Sequence, residues 1–430
     1  MMSRMTGWDM DYLARCSVPS SNASMSRDES GMQVTDPGSQ TVNLCLMEHE
    51  PSMAEAFIAD YARSPFAPAY KGALSAMRPD DLAAGIVAAV VQRSGIDPAT
   101  LEDVILGCAF AEGEQGLNIA RCVSVIAGLP QSVGGSTVNR WCGSSMQAIQ
   151  MAAGAIAMGA GEAFVAGGVE SMTKVPMMGF NPMPNPDWDD ALRASFLNMG
   201  LTAENLMARY GITRAEQDAY AAASQDKAAA AQADGRLAAE IVPVATPTGV
   251  VDKDGGVRGG TTVDKLSTLK AVFKAGGSVT AGNSSPLTDG ASATLVVSED
   301  YARRHNLTPL ARVAGYAVSG CAPEIMGIGP VEATRKALKR AGITAADLDV
   351  IEMNEAFAVQ VLACCRDLDI DPARLNRDGG AIALGHPLGA TGARLVGKAA
   401  QLLKRDGGRY GLATQCIGGG QGIALVLEAA

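Results

Sequence analysis

The sequence predicts an α/β protein built from two copies of one layered unit, with an insertion inside the first copy. Three observations carry this. From Ala54 onward, short apolar runs of strand length alternate with longer stretches of helical period. Arg93–Ile105, RSGIDPATLEDVI, returns about 247 residues later as Arg340–Ile351, RAGITAADLDVI, each time after a helical stretch and ahead of an apolar strand. Between 173 and 277 the alternation stops, and turn-rich sequence takes over. The expected organisation is a disordered extension (1–52), an N-terminal half (54–172 with 278–300), an inserted loop domain (173–277) and a C-terminal half (301–430).

The extension is rich in Ser, Met and Asp and lacks a sustained apolar period. Its three basic residues, Arg4, Arg15 and Arg27, are outnumbered by seven acidic ones, unlike a mitochondrial transit peptide. Met53 opens MAEAFIADYARSPF, which reads as a natural start. Phe57-Ile58-Ala59 is a short strand. Pro79-Asp80-Asp81 puts a proline and two carboxylates into a first helical turn, and that helix runs to about Ser94. Val104–Cys108 is a buried strand, Ile119–Ala127 a helix and Ser136–Asn139 a strand. After Cys142, Met146, Ile149, Ala153 and Ile156 recur at helical spacing among Ala and Gly, so this helix belongs in the interior. A strand at Ala163–Gly167 follows.

In the insertion, Lys174–Trp188 is a Pro- and Met-rich covering loop. Ala203–Tyr210 and Arg214–Ala233 are helical, and the next stretch, with Asp252, Asp254 and Arg258, is rich in turns. Ser278–Ser298 returns to strand character, and the second copy follows.

Composition narrows the function. Apolar residues make up 47% of 430, enough to bury a large core, and no run of about 18 apolar residues offers a membrane span. A net charge of −10 argues against nucleic acid as the main partner but leaves room for a small polyanion on a local basic patch. Nine cysteines, an odd number with no CxxC pair, speak against a metal ribbon or a disulfide framework and for a reducing compartment, the cytoplasm. Only three histidines, His49, His305 and His386, could supply an imidazole.

Cys142 stands in VNRWCGSSMQA, where a β-like run turns into the apolar helix. A thiol at a helix start faces unpaired N–H groups and the positive end of the dipole, and both favour the nucleophilic thiolate. A lone cysteine is more often inert core; three further segments reverse that reading. The counterpart of Cys142 in the second copy falls near His386, in GGAIALGHPLGATGARL, where a Gly-rich turn again leads into an apolar helix. Pseudo-two-fold symmetry would bring the two helix starts face to face, a thiol and an imidazole at the seam. The plainer alternative for His386 is a turn histidine bonded to a carbonyl. Asn354-Glu355-Ala356-Phe357 ends a strand and starts a helix, the usual place for active-site residues in α/β sheets. Cys416-Ile417-Gly418-Gly419-Gly420 follows a strand, and its glycines let backbone N–H groups approach a ligand. It has neither the lysine of a P-loop nor a GxGxxG spacing. Cys416 alone could be acid, base or filler. Met146, Met151 and Met158 are read as core filler.

With these segments in place, the chain resembles the thiolases. VNRWCGSSMQA, NEAFA, GHPLGATGAR and CIGGGQG fall in that family's order and spacing, joined by GNSSPLTDG and MGLTAEN, from about Ala54 to the C-terminus. The resemblance implies a reverse Claisen cleavage. Cys142 attacks the 3-keto carbon of a 3-ketoacyl-CoA, His386 draws off the thiol proton, and Cys416 protonates the departing acetyl-CoA enolate. A second CoA thiol then takes the acyl group from Cys142. The resemblance assigns His386, with a water held by Asn354, to the enolate oxygen, and the N–H groups of Cys142 and Gly418 to the tetrahedral intermediate. CoA is implied as a co-substrate on the inserted domain, with no permanently bound cofactor and no metal. Ser285 would lie near the pantetheine, Met326 and Phe357 near the acyl end, and Arg258 is a weaker candidate.

Departures matter as well. Pro176-Met177-Met178 stands where many short-chain thiolases carry a His, Ala271 replaces a common Pro, and Gly255 a common acidic residue. The loop change and the GSSMQA wording favour the degradative 3-ketoacyl-CoA type, serving fatty-acid β-oxidation, over a biosynthetic acetoacetyl-CoA thiolase. A non-catalytic acyl-CoA-binding protein of this fold is the third reading, and the intact set Cys142, Asn354, His386 and Cys416 opposes it. The partners implied are acyl-CoA and CoA, further copies in a homodimer or homotetramer, and a β-oxidation multienzyme partner.

Overall fold

The computed structural model describes residues 54–187 and 189–430 and, in the N-terminal extension, only 24–28 and 31–35. Those two pieces are antiparallel strands, Ser24–Asp28 and Gly31–Thr35, with Asp28 opposite Gly31. The sequence reading gave them no element. The expectation of disorder for the rest of 1–52 lies outside the described residues. Met53–Ala430 is a compact unit of its own.

Within it one mixed sheet runs from edge to edge in an order that repeats from both ends toward the middle. From one edge come Ser136–Val138, Asp103–Gly107, Ala163–Ser171, Thr288–Ser298 and Ala56–Arg63. From the other come Val350–Met353, Tyr410–Ile417, Gln421–Ala429 and Ala311–Gly320. Asp103–Gly107 pairs parallel with Ala163–Ser171, as Val350–Met353 does with Tyr410–Ile417, and the next two pairings are antiparallel in both halves. The parallel partner Ser136–Val138 has its counterpart in a single bridge from Leu375 to Ile351. The halves join where Ala311 and Arg312 pair with Ile58 and Phe57.

The repeated sequence explains the repeated geometry. The helices Pro79–Ser94 and Gly329–Ala341 both stop at a glycine in the left-handed region, Gly95 (φ 68°) and Gly342 (φ 70°). A one-turn 3₁₀ segment follows each and feeds a strand. Side chains then alternate across each strand. Val104, Leu106, Val165 and Leu295 face the outer helices Pro79–Ser94 and Ile119–Ile126, while Ile105, Phe164, Ala166 and Val296 face inward. Leu412, Ala424 and Val426 face Gly329–Ala341 and Ala358–Leu368, while Ala413, Ile423 and Leu425 face inward. Both inward faces close on the same two helices, Ser144–Ala157 and Leu388–Asp406. The layers are therefore α/β/α/β/α, and the start of each central helix lies at the seam between halves.

Two expectations need correction. Ala163–Gly167 extends to Ser171 because Gly167 and Gly168 continue the ladder instead of stopping it. A side chain at Gly168 would lie 2.0 Å from the carbonyl oxygen of Gly389, so that glycine is where the central helix Leu388–Asp406 touches the sheet. Of the three methionines read as core, only Met146 is buried. Met151 and Met158, seven residues apart, share an exposed face.

Between Ser171 and Thr288 the chain gives the sheet no strand. It forms the helices Met199–Tyr210 and Arg214–Ala233, the second opened by a Thr213/Glu216 capping box. Buried ions tie this segment to both halves. Arg63 pairs with Glu240 (2.8 Å) and Asp254 (2.6 Å), and Lys398 reaches Glu240 (3.4 Å) and Asp378 (2.7 Å). Such pairs contribute geometric specificity more than net stability, since desolvation offsets most of the attraction.

Candidate active site

Strand Ser136–Val138 hands the chain to a single 3₁₀ turn, Trp141–Gly143, and then to the helix Ser144–Ala157. Cys142 sits on that turn, just ahead of the α-helix. Trp141 before it has φ 42°, a left-handed value costly for a bulky residue. Local hydrogen bonds offset the strain. Trp141 N donates to Asn139 Oδ1 (2.8 Å), Arg140 N to Ser144 Oγ (2.9 Å), and Ser144 Oγ to Trp141 O (2.6 Å). From the other half, Gln415 Nε2 donates to the Cys142 carbonyl. The turn is sharp, strained and pinned, and it presents the thiol to a cavity.

That cavity, about 540 Å³, is lined by Cys142, His386, Cys416 and Gly418 together. His386 precedes the second central helix, as the duplication requires. The Thr391 hydroxyl donates to Pro387 O (2.9 Å), so its oxygen accepts from His386 Nδ1 (2.6 Å). The proton is thereby fixed on Nδ1, leaving Nε2 as the lone-pair nitrogen. Asn354 does not line the cavity. It stands behind the imidazole, fully buried, with Nδ2 3.3 Å from Nε2 and an Oδ1 that accepts no hydrogen bond from a described residue.

Burial sets the charges. It holds His386 down to about 4, so the imidazole is neutral near pH 7. Burial pushes the Cys142 thiol up to about 11; the N–H groups of Gly418 and of Cys142 itself lower it, and the Glu170 carboxylate adds to the rise. From the helix start alone a favoured thiolate is expected. Desolvation outweighs the dipole, and the resting nucleophile is a thiol. Cys416 is pushed well above the ordinary thiol range by burial and by Cys142 beside it. The cavity at rest thus holds a neutral base and two protonated thiols, and the nucleophile forms when its proton passes to Nε2.

Ser285, Met326 and Phe357 line the same cavity. The Ser285 N–H donates to Ala356 O (3.0 Å), and Ser284 bridges to Phe357, so the end of the insertion is stitched to the NEAF segment. Arg258 also reaches the cavity; it is exposed, and its guanidinium makes no ion pair among the described residues. No group of three or more His, Cys, Asp or Glu among the described residues could hold a metal ion.

Sequence reasoning missed Glu170. Its buried carboxylate accepts from Ala109 N (2.8 Å) and Gln115 Nε2 (2.7 Å) in one half and from Gly389 N (2.9 Å) in the other. It caps the His386 helix from across the seam, a role its own N-cap, Pro387, leaves unfilled. A carboxylate inside the apolar run AFVAGGVES was the available signal.

Two family models match the chain: thiolase, N-terminal domain, over residues 56–300, and thiolase, C-terminal domain, over 307–429. The 3-ketoacyl-CoA thiolase of Bacillus subtilis (strain 168) is 45% identical over 389 residues, 87% of this chain and 100% of that protein. The 3-oxoadipyl-CoA/3-oxo-5,6-dehydrosuberyl-CoA thiolase of Escherichia coli (strain K12) is 46% identical over 401 residues, with coverage of 87% and 100%. Human mitochondrial 3-ketoacyl-CoA thiolase, solved in complex with CoA, superposes with a TM-score of 0.81 at 39% identity, covering 88% of this chain and 99% of that one. The chain belongs to the thiolase family of acyltransferases.

Proposed function

We propose that this thiolase is of the degradative type and cleaves 3-ketoacyl-CoA with CoA into acetyl-CoA and a shortened acyl-CoA. The observation that carries the reading is the cavity where a neutral imidazole and two protonated thiols meet. Cys142 attacks the 3-keto carbon as His386 Nε2 takes its proton, and the N–H groups of Cys142 and Gly418 receive the oxyanion. The C2–C3 bond breaks, and Cys416 gives its proton to C2 of the enolate. The thioester oxygen meets the new Nε2–H, and the buried Asn354, its Nδ2 3.3 Å from Nε2, helps hold the imidazole in place. Between the two half-reactions the proton on His386 passes to the Cys416 thiolate, and His386 then takes the proton of an incoming CoA thiol. That thiol displaces the acyl group, and His386 returns its proton to Cys142.

CoA is a substrate here, its pantetheine beside Ser285 and its acyl junction beside Met326 and Phe357, with residues 173–277 holding the carrier. The covering-loop sequence Pro176-Met177-Met178 supports the degradative type, and fatty-acid β-oxidation, with a multienzyme partner, is the setting it suits. Seven described cysteines are free thiols, which suits a reducing cytoplasm. A homodimer is the assembly supported by the half-exposed edge strand Ser136–Val138 and by the exposed Val125 and Ile126 on the helix packed against it. The test of the reaction is CoA-dependent cleavage of a ladder of 3-ketoacyl-CoA lengths by the purified chain. The expected result is turnover that Cys142→Ser abolishes; no cleavage at any length would sink the reading.

A further inference from the structure

The 540 Å³ cavity is not all of the space around Cys142. A second cavity of about 210 Å³ shares Cys142, Met177, Asn198, Met199, Leu388 and Gly418 with it and continues between Phe110, Trp141, Met178 and Phe196. Trp141 and Phe196 meet edge to face in its wall, centroids 6.2 Å apart at 77°. No Lys, Arg or His lines it. Its polar side chains are the neutral ones of Ser195 and Asn198, and the Oδ1 of Asn198 accepts from Gly200 N (2.9 Å). The cations nearest along the chain are engaged elsewhere: Arg140 with Gln147 and Gln421, Lys174 with Glu114, and Arg193 with Asp190. Met178 is held at φ 79° in a turn closed by Gly179 N on Pro176 O (2.9 Å), another strained residue beside the nucleophile.

The two cavities differ in chemistry and meet at the reacting sulfur. The larger carries Arg258 at its edge and the hydroxyls of Thr280, Ser284 and Ser285. A substrate joined to Cys142 also has two arms, a phosphate-bearing carrier and an acyl chain. We propose that the smaller cavity receives the acyl chain, and that it selects uncharged aliphatic chains and rejects those ending in a carboxylate. This deepens the thiolysis reading and rests on it. An ionised carboxylate placed there would lose its water and find no cation in return, only the neutral side chains of Ser195 and Asn198. Flexible thioethers, by contrast, adapt to aliphatic chains of several shapes.

The test is the rate at which butyryl-CoA and succinyl-CoA load Cys142, followed by intact mass. The two acyl groups have equal length and differ by a carboxylate in place of a methyl. Butyryl should load faster by about 10²-fold or more. Met178→Lys, which puts a cation on the wall, should narrow that ratio about tenfold by speeding succinyl loading. Equal loading by the unaltered enzyme, or a ratio that Met178→Lys leaves unchanged, overturns the assignment. Loading needs no C–C cleavage, so the two readings fail separately. Equal loading with thiolysis intact overturns the pocket alone, and selective loading without thiolysis overturns the cleavage reading alone.

Discussion

A thiol and an imidazole lining one cavity can rest as charged or as neutral groups, and here burial chooses the neutral form. Cys142 is pushed up to about 11 and His386 held down to about 4, so neither ionises at rest near pH 7. Inactivation by iodoacetamide should therefore climb about tenfold per pH unit through the alkaline range, tracking a small thiolate fraction. A plateau already reached below pH 8 would mean a resting thiolate. Loss of activity is the proper readout, because the exposed Cys122 is also open to label. The same burial has a stability sign. His386 binds a proton near 6.5 when unfolded but only near 4 when folded, so it costs stability as pH falls through that interval and nothing above it. The positions of Cys142 and His386 were legible in the sequence from their places in the two copies. Their charges were not, because desolvation depends on walls that distant segments supply. Thr391 and Glu170 stayed hidden for a related reason: each acts by a hydrogen bond whose meaning appears only when the partner is in place.

At the scale of elements the helices were located closely, since Pro79–Ser94 follows from a first-turn proline and Arg214–Ala233 has the expected bounds. Strand ends were less legible. Gly167 looked like a stop, but a central strand covered on both faces can carry glycine where another backbone must come close. The two edges of the sheet also differ. Val350–Met353 is buried and bridged by Leu375, whereas Ser136–Val138 is half-exposed with no outer partner among the described residues. An open edge of this kind favours pairing with a second copy about a two-fold axis. Sedimentation velocity at micromolar concentration should accordingly give a dimer or a multiple of it; a monomer would contradict the pairing.

At the scale of the whole molecule, the duplication divides the chemistry unequally. The N-terminal half supplies the nucleophile on its strained turn. The C-terminal half supplies the base His386, its neighbour Asn354, the second thiol Cys416 and the Gly418 N–H. Neither half holds a complete site, and the buried pairs of Arg63 and Lys398 with Glu240 fix the insertion against both. The central claim is that division of labour, with Cys142 carrying the acyl group and Cys416 only moving the C2 proton. Cys416→Ser separates the two roles in one preparation. Cleavage and condensation should both fall by about 10²–10⁴-fold, the usual worth of a general acid–base group. Cys142 should still take an acyl group from acyl-CoA at a near-normal rate, seen as added mass on the intact protein. Near-normal turnover in Cys416→Ser, or loss of acyl loading together with turnover, would contradict the account.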